Sequence, residues 1–469
     1  MGRTHHNSTL SVGQVFVEFT KKPVSAWAGL ATIIGGLLER IEFRQWVEGA
    51  LPVSETSNNS CGVYSKVLTH LLTVFCGGER FGHMQWWRHG VEVFERAFDI
   101  ERFAKAPTSL TRFWNKFDSQ AKCEAWGEQG RSFAAQVLGW AGVWHGNLNL
   151  DSTVLTRYGS QEGAHKGYNP KKKGRPSHHP LLAFVCAGYV VNLWNRSGDT
   201  ASGQGCVEFF DQTLLALGEQ FRVRHVLCDS GFYRIGFIEH LETKGVSYIL
   251  SVPITAPIQA ELVQVGSWRC IEEGLEAGEF YFEHADPKWR RPRRYIAIRQ
   301  HVQTRPNATG KHGEQMSLFE DYEELGRYRY SVLLTNDHQL APVDVWREYR
   351  PRANDENVLK DLKQGLGLGA FNVDSFWATE AILVTTALVC YNLLHFLDRQ
   401  VLNRNRAGHQ AKTIRRTWFI LPGQLGNSGG SYRLRIAVKP GGIRAKLIRV
   451  LNEILRLPHR LNCIAVEPP

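Results

Sequence analysis

No two of the nine cysteines (Cys61, Cys76, Cys123, Cys186, Cys206, Cys228, Cys270, Cys390 and Cys463) form a C-x-x-C pair, and their number is odd. A structural zinc site or a disulfide framework would need paired thiols, so reduced thiols are the simpler expectation. The opening stretch MGRTHHNSTLSVGQ has no apolar run ahead of a cleavage site, which gives no indication of secretion. Long hydrophobic runs are missing as well. Residues 26–38 are too few to cross a bilayer, and residues 381–397 are interrupted by Asn392 and His395. Both read as buried helices, and no membrane partner is expected. Acids are scarce toward the carboxyl end, where fourteen Lys and Arg between Arg399 and Arg460 face one acid, Glu453.

That imbalance belongs to a basic chain, with net charge +11 and a pI near 9.2. Phosphate contacts dominate nucleic-acid affinity, so the excess of cations favours a polyanionic partner, a solvated basic face being the alternative. At 469 residues, 43% hydrophobic and 22% charged, the chain can bury a large core and holds two or three folded units.

Residues 24–140 show helical spacing in AGLATIIGGLLERIEFRQWV, YSKVLTHLLTVFCGG and VEVFERAFDIERF. This predicts an α-helical amino-terminal domain over 1–145. A helix-turn-helix near 98–117 would make that domain DNA-binding, and two short packed helices that touch no DNA fit equally well. From Gly146 the period changes to two: Asn147, Asn149, Asp151 and Thr153 alternate with Leu148 and Leu150, the pattern of a strand with one buried face. Strands follow at 180–189 and 190–195, a helix at 208–220, a strand at 222–228 and another at 248–252. This β-β-β-α-β-α-β order, with acids in the first and after the fourth strand, matches an RNase H-like layout. The α/β fold class expected is therefore a catalytic core with a mixed five-stranded sheet and flanking helices, covering 146–253 and 343–400. A mostly β insertion at 254–342 interrupts it, and a basic region at 401–469 follows.

The chemistry is carried by acids. Divalent cations that activate a nucleophile at phosphorus want carboxylate oxygens, and Asp151, Asp229 and Glu356 can supply them. Asp151 stands on the polar face of its strand, and Asp229 stands where an apolar strand meets Ser230-Gly231. Taken singly, either could serve a local turn or cap instead. Tyr349, Arg352, Glu356 and Lys363 form the spacing Y-x2-R-x3-E-x6-K. On one α-helix, Arg352, Glu356 and Lys363 fall within about 40° of each other, so they share a face beside Val358, Leu359, Leu362 and Leu366. Pro351 in the first turn would place Tyr349 just ahead of that helix. A surface helix bridged by Arg352 and Glu356 is the alternative. His178 and His179 are adjacent on an extended segment and point to opposite sides, which speaks against a shared metal.

With NLDST around Asp151 and CDSGFY around Asp229, this signature resembles the DDE transposases of bacterial insertion sequences, in the superfamily named for insertion sequence 4. GSQEGAHKGYNPKKKGRPSHHPLL and LPGQLGNSGGSYRLR are similar to the group named for insertion sequence 1380. The likeness runs from about Gly146 to about Arg435. It implies two Mg²⁺ ions, with Mn²⁺ as a substitute, held by Asp151, Asp229 and Glu356, and DNA phosphates contacted by Tyr349, Arg352 and Lys363. It implies cut-and-paste transposition, in which water attacks the element's end and the freed 3′-hydroxyl attacks target DNA. Double-stranded DNA (terminal inverted repeats and target) is the expected partner, in a homodimeric synaptic complex. A cytoplasmic protein associated with the nucleoid when on DNA is the expected location.

Some relatives hold a flipped base with a Trp in the insertion. Trp289, among Arg290, Arg291, Arg293 and Arg294, is the positional equivalent, with a rim residue of a small sheet as the alternative. Lys171, Lys172, Lys173 and Arg175 follow the first catalytic strand and suit phosphates beside the site. Two other readings use the same residues: a nuclease that lacks strand transfer, and a non-catalytic DNA-binding derivative.

Overall fold

The computed structural model describes residues 10–12, 14–17, 19–185, 188–301, 328–402 and 408–463. The amino-terminal part is helical as its spacing predicts, with α1 (Ala28–Arg40), α2 (Gly62–Phe75), α3 (Pro107–Trp114) and α4 (Gln120–Trp140) among its helices. Pro107 opens α3, whose Leu110, Phe113 and Trp114 are buried. The preceding helix ends at Ala97, so the whole stretch from Phe98 to Ala106 separates the two. That is longer than the three or four residues of a helix-turn-helix, and the expected motif is not formed at 98–117.

The sheet that carries the acids begins with β1 (His145–Ser152), β2 (Leu181–Val185) and β3 (Val190–Trp194). It continues through α5 (Cys206–Leu217), β4 (Arg222–Cys228), α6 (Ile235–Thr243) and β5 (Tyr248–Val252), in the order the sequence predicts. β6 (Arg269–Glu272), β7 (Leu275–Phe282), β8 (Arg293–His301) and β9 (Tyr328–Thr335) come from the insertion. They do not stand apart: β9 pairs antiparallel with β5, and the sheet has nine strands in the order β6-β7-β8-β9-β5-β4-β1-β2-β3. β1, β4 and β5 are parallel neighbours, and the other pairings are antiparallel. An unpaired edge on β5 is a row of free N–H and C=O groups, and the insertion covers it.

After the insertion come α7 (Pro342–Tyr349), α8 (Asp355–Lys360) and α9 (Phe376–Leu402). α9 is long and apolar enough to cross a membrane, but 89% of its most apolar window is buried within the fold. It packs along α4, where the Trp126 indole donates to Thr385 Oγ1 at 3.0 Å. The basic region folds back onto the amino-terminal helices as β10 (Gly423–Ser428), β11 (Ser431–Ile436) and α10 (Gly442–Leu455). β10 pairs with Val24–Ser25, and α10 lays Leu447, Val450 and Ile454 on α1.

Asn392, the polar interruption in α9, is fully buried and reads the backbone of β3. Its Oδ1 accepts from Val190 N at 3.0 Å, and its Nδ2 donates to Val190 O at 2.7 Å. Asn392→Leu would leave both backbone groups unpaired in the core. We expect it to lower unfolding stability by about 2–5 kcal/mol, measured by chemical denaturation.

Candidate active site

β1 builds the site with its alternate residues. It is the seventh of nine strands, so both its edges are paired, and the polar face predicted for Asn147, Asn149 and Asp151 is turned into the protein. Asn147 and Asn149 are buried, unlike the solvated face of a half-buried strand, because the chain from α7 to α8 lies across them. Asn147 Nδ2 donates to Glu348 Oε2 at 2.9 Å, and Asn149 Nδ2 donates to Asp355 Oδ1 at 3.1 Å. Asp151 Oδ2 pairs with the Arg352 guanidinium at 3.2 Å. Three consecutive same-face residues of one strand thus grip one helical run about 200 residues further on.

β4 supplies the second acid. Cys228 lies opposite Leu150 in the parallel register, so the residues that follow, Asp229 and Asp151, reach the same end of adjacent strands. Asp229 caps the short turn Ser230–Phe232, its Oδ1 accepting from Gly231 N at 2.9 Å. Asp151 Oδ1 accepts from Ser152 N at 2.7 Å. The cap role that the sequence left open for Asp229 is filled, and it coexists with a place beside Asp151. The helical run is tied to this strand too, through the Tyr349 hydroxyl, which donates to the Cys228 carbonyl at 3.0 Å.

The four signature residues do not share one α-helix. Tyr349 ends α7 instead of preceding a helix, because Pro342 takes the first turn that the sequence reading gave to Pro351. Pro351 lies inside the run, in the tighter 3₁₀ segment Arg350–Asn354 that contains Arg352; its ring and missing N–H disfavour regular α pitch there. Glu356 lies in the first turn of α8, and Lys363 lies in the wider π turn Asp361–Gly365. Tightening and widening offset one another, and Arg352, Glu356 and Lys363 all act electrostatically on Asp151.

Burial pushes the Asp151 carboxyl up to about 6; Arg352 pulls the other way, and the Asp229 and Glu356 carboxylates add to the rise. Asp355 is 4% exposed, and burial pushes it up to about 7 against its bond from Asn149 and the pull of Arg352. Lys363 donates to Val154 O at 3.0 Å, and burial, with Lys171 nearby, brings its ammonium down to about 8. Lys171, Lys172, Lys173 and Arg175 are exposed on the loop between β1 and β2.

Among the described residues, no three His, Cys, Asp or Glu side chains converge closely enough to hold a metal ion. Glu356 is exposed. The donor chemistry nevertheless fits a hard divalent cation: the Asp229 and Glu356 carboxylates both act on Asp151, and only Arg352 is ion-paired to it. His178 and His179 do face opposite ways. His178 Nδ1 accepts from Arg157 Nε at 3.1 Å, while His179 reaches Thr200 O and Ser152 Oγ at 2.7 and 3.0 Å.

Trp289, for which the sequence left open a base-stacking role or a place at the rim of a small sheet, is packed against other rings. The indole is only 9% exposed, stacks on His284 at 4.0 Å between centroids, and lies against Tyr233 at 5.0 Å. Of its flanking arginines, Arg291 and Arg293 are bound to Glu242 and Arg294 to Glu279, so three of the four cations are already paired. The sequence reading missed Asp355, Asn147 and Asn149. The period-two polar run marked the asparagines, but nothing local marked their partners.

The family model for the transposase DDE domain, group 1, matches residues 7–459. No curated protein matches. Among solved structures the chain is similar to the cryo-EM structure of the piggyBac transposase synaptic complex with hairpin DNA. Sequence identity is 10% and the TM-score 0.41, over 84% of this chain and 78% of that one. Matched over nearly its whole length, the chain belongs to the DDE transposase family.

Proposed function

We propose that this protein is a cut-and-paste DNA transposase of a bacterial insertion sequence, of the insertion-sequence 4 and 1380 kind, with an RNase H-like core. Asp151, Asp229 and Glu356 would hold two Mg²⁺ ions, or Mn²⁺ in their place. The observation that carries this reading is the Asp151–Arg352 contact at 3.2 Å, which joins the first acid to the signature segment that bears the third.

When bound, the ions would polarise the scissile phosphate and favour the deprotonated nucleophile. The chain's own residues do the rest. Asp151 and Asp229 approach from adjacent strand ends, and Glu356 from the helical run. Arg352 balances the Asp151 carboxylate, and with ions held there its guanidinium would be available to a phosphate. Lys363 and the exposed Lys171, Lys172, Lys173 and Arg175 form a cationic border along which a DNA backbone can lie. Tyr349 holds the helical run against β4 and orients Arg352. Terminal inverted repeats and target DNA are the substrates, and a homodimer is the working assembly. The cytoplasm, on the nucleoid when DNA is bound, is its place of action.

Asp151→Asn, Asp229→Asn and Glu356→Gln should each reduce cleavage of a labelled element end by about a thousandfold or more, with gel-shift affinity changed only a few-fold. The parent should also join a precleaved end to target DNA. Hydrolysis without joined product would replace transposition by nuclease action.

Acidity supplies a second test. The Asp151 carboxyl sits at about 6, above its ordinary value, so its burial is tolerated when it is protonated and becomes costly as pH rises through 6. In metal-free buffer, this group's contribution should make the protein less stable at pH 8 than at pH 5. Added Mg²⁺ should raise the melting temperature more at pH 8, where no proton competes, and Asp151→Asn should abolish that difference.

A further inference from the structure

The two aspartates are linked by more than the sheet. Beneath them, the loop of residues 200–205 between β3 and α5 is held by one buried guanidinium. Arg196 NH1 donates to the carbonyls of Ala201, Ser202 and Gln204 at 3.2, 2.9 and 2.8 Å, and its Nε donates to His179 O at 2.9 Å. The His179 backbone N–H returns a bond to Arg196 O at 2.9 Å. The loop therefore cannot shift independently of the start of β2.

From this base a chain of side chains reaches both acids. The His179 ring bonds Thr200 O through Nδ1, which must carry the proton because a carbonyl only accepts. Nε2 is thus an acceptor for the Ser152 hydroxyl at 3.0 Å. Ser152 Oγ also meets Ser202 Oγ at 3.1 Å. Ser152 follows Asp151 and gives it a backbone N–H. Ser202 is pressed against Gly231, where an added Cβ would lie 2.8 Å from Ser202 Cβ, and Gly231 gives its N–H to Asp229. A Cβ on Gly203 would lie 2.7 Å from Gly231 O. Loop and turn are thus in contact at closer than ordinary side-chain spacing.

We propose that Arg196, His179 and Ser202 are positioning residues that set the separation of Asp151 and Asp229 for a divalent ion. This rests on the metal-site reading above. None of the three touches the ion; each acts through the backbone groups that orient the aspartates. A hard cation is sensitive to the spacing of its carboxylates, and partners of ligands commonly govern affinity by 10–100-fold or so.

The test is Mn²⁺ binding to the DNA-free protein, followed by the spin resonance of free Mn²⁺, together with the melting temperature. Ser202→Ala and His179→Gln should each raise the Mn²⁺ dissociation constant by about tenfold. Their double variant should be no worse than the weaker-binding single, because both break one chain. Arg196→Lys keeps the charge but cannot span four carbonyls, and should weaken binding further. Ser202→Ala removes one exterior-loop oxygen and should melt close to the parent. Unchanged Mn²⁺ affinity in Ser202→Ala and His179→Gln overturns the proposal. So do losses that appear only in variants whose melting temperature has collapsed. Asp151→Asn separates the two levels: if it binds Mn²⁺ as the parent does, the metal site itself is wrong and the positioning role falls with it. If Asp151→Asn loses binding and the positioning variants do not, the metal site stands and only the role of Arg196, His179 and Ser202 falls.

Discussion

The polar face of β1 against the helical run from α7 to α8 is the contact on which the site depends. Asn147, Asn149 and Asp151 rise along one strand at a spacing of two and meet Glu348, Asp355 and Arg352 in turn. Burying six polar or charged side chains together is costly unless each finds its partner. The arrangement therefore tolerates one register between strand and helix and few others. A shift of one residue on β1 would turn the leucines toward the helix and the carboxylate into the opposite layer.

This grip explains how residues separated by some two hundred positions come to one place. The parallel pairing of β1 with β4 brings Asp229 beside Asp151, and the Tyr349 hydroxyl closes the remaining side on Cys228. The insertion contributes to the same frame: its strands continue the sheet from β5, so the segment that re-enters the core at Pro342 starts from a fixed edge. The charge balance is left unfinished. Asp151 lies among acids with one guanidinium beside it, and under the proposed function a divalent ion would take the place of its proton or of Arg352.

Much of this was legible in the sequence because it is periodic or local. The change from helical to alternating spacing at Gly146 located β1, the apolar run before Asp229 located β4, and the Y-x2-R-x3-E-x6-K spacing located the segment around Glu356. What could not be read is non-local. That β1's polar face is covered, not solvated, depends on a helix two hundred residues away. The pitch changes around Pro351 and Lys363 arise where one run must satisfy strand, loop and proline together. The insertion read as a separate β unit because pairing between strands leaves no trace in spacing. Trp289 read as a free aromatic among cations because Glu242 and Glu279, which neutralise Arg293 and Arg294, lie far off or on another strand. Arg196 carried no signal at all: four carbonyls have no sequence signature.

The central claim is that the ends of β1 and β4, with the α8 carboxylate, form a divalent-cation site in a DDE transposase. Anomalous diffraction from crystals soaked in Mn²⁺ tests it most directly. The account predicts density for the ion against the Asp151 and Asp229 carboxylates, with Arg352 moved off Asp151 and Glu356 drawn toward the ion. A saturating soak with no peak there, or a peak elsewhere while Arg352 stays on Asp151, would contradict it.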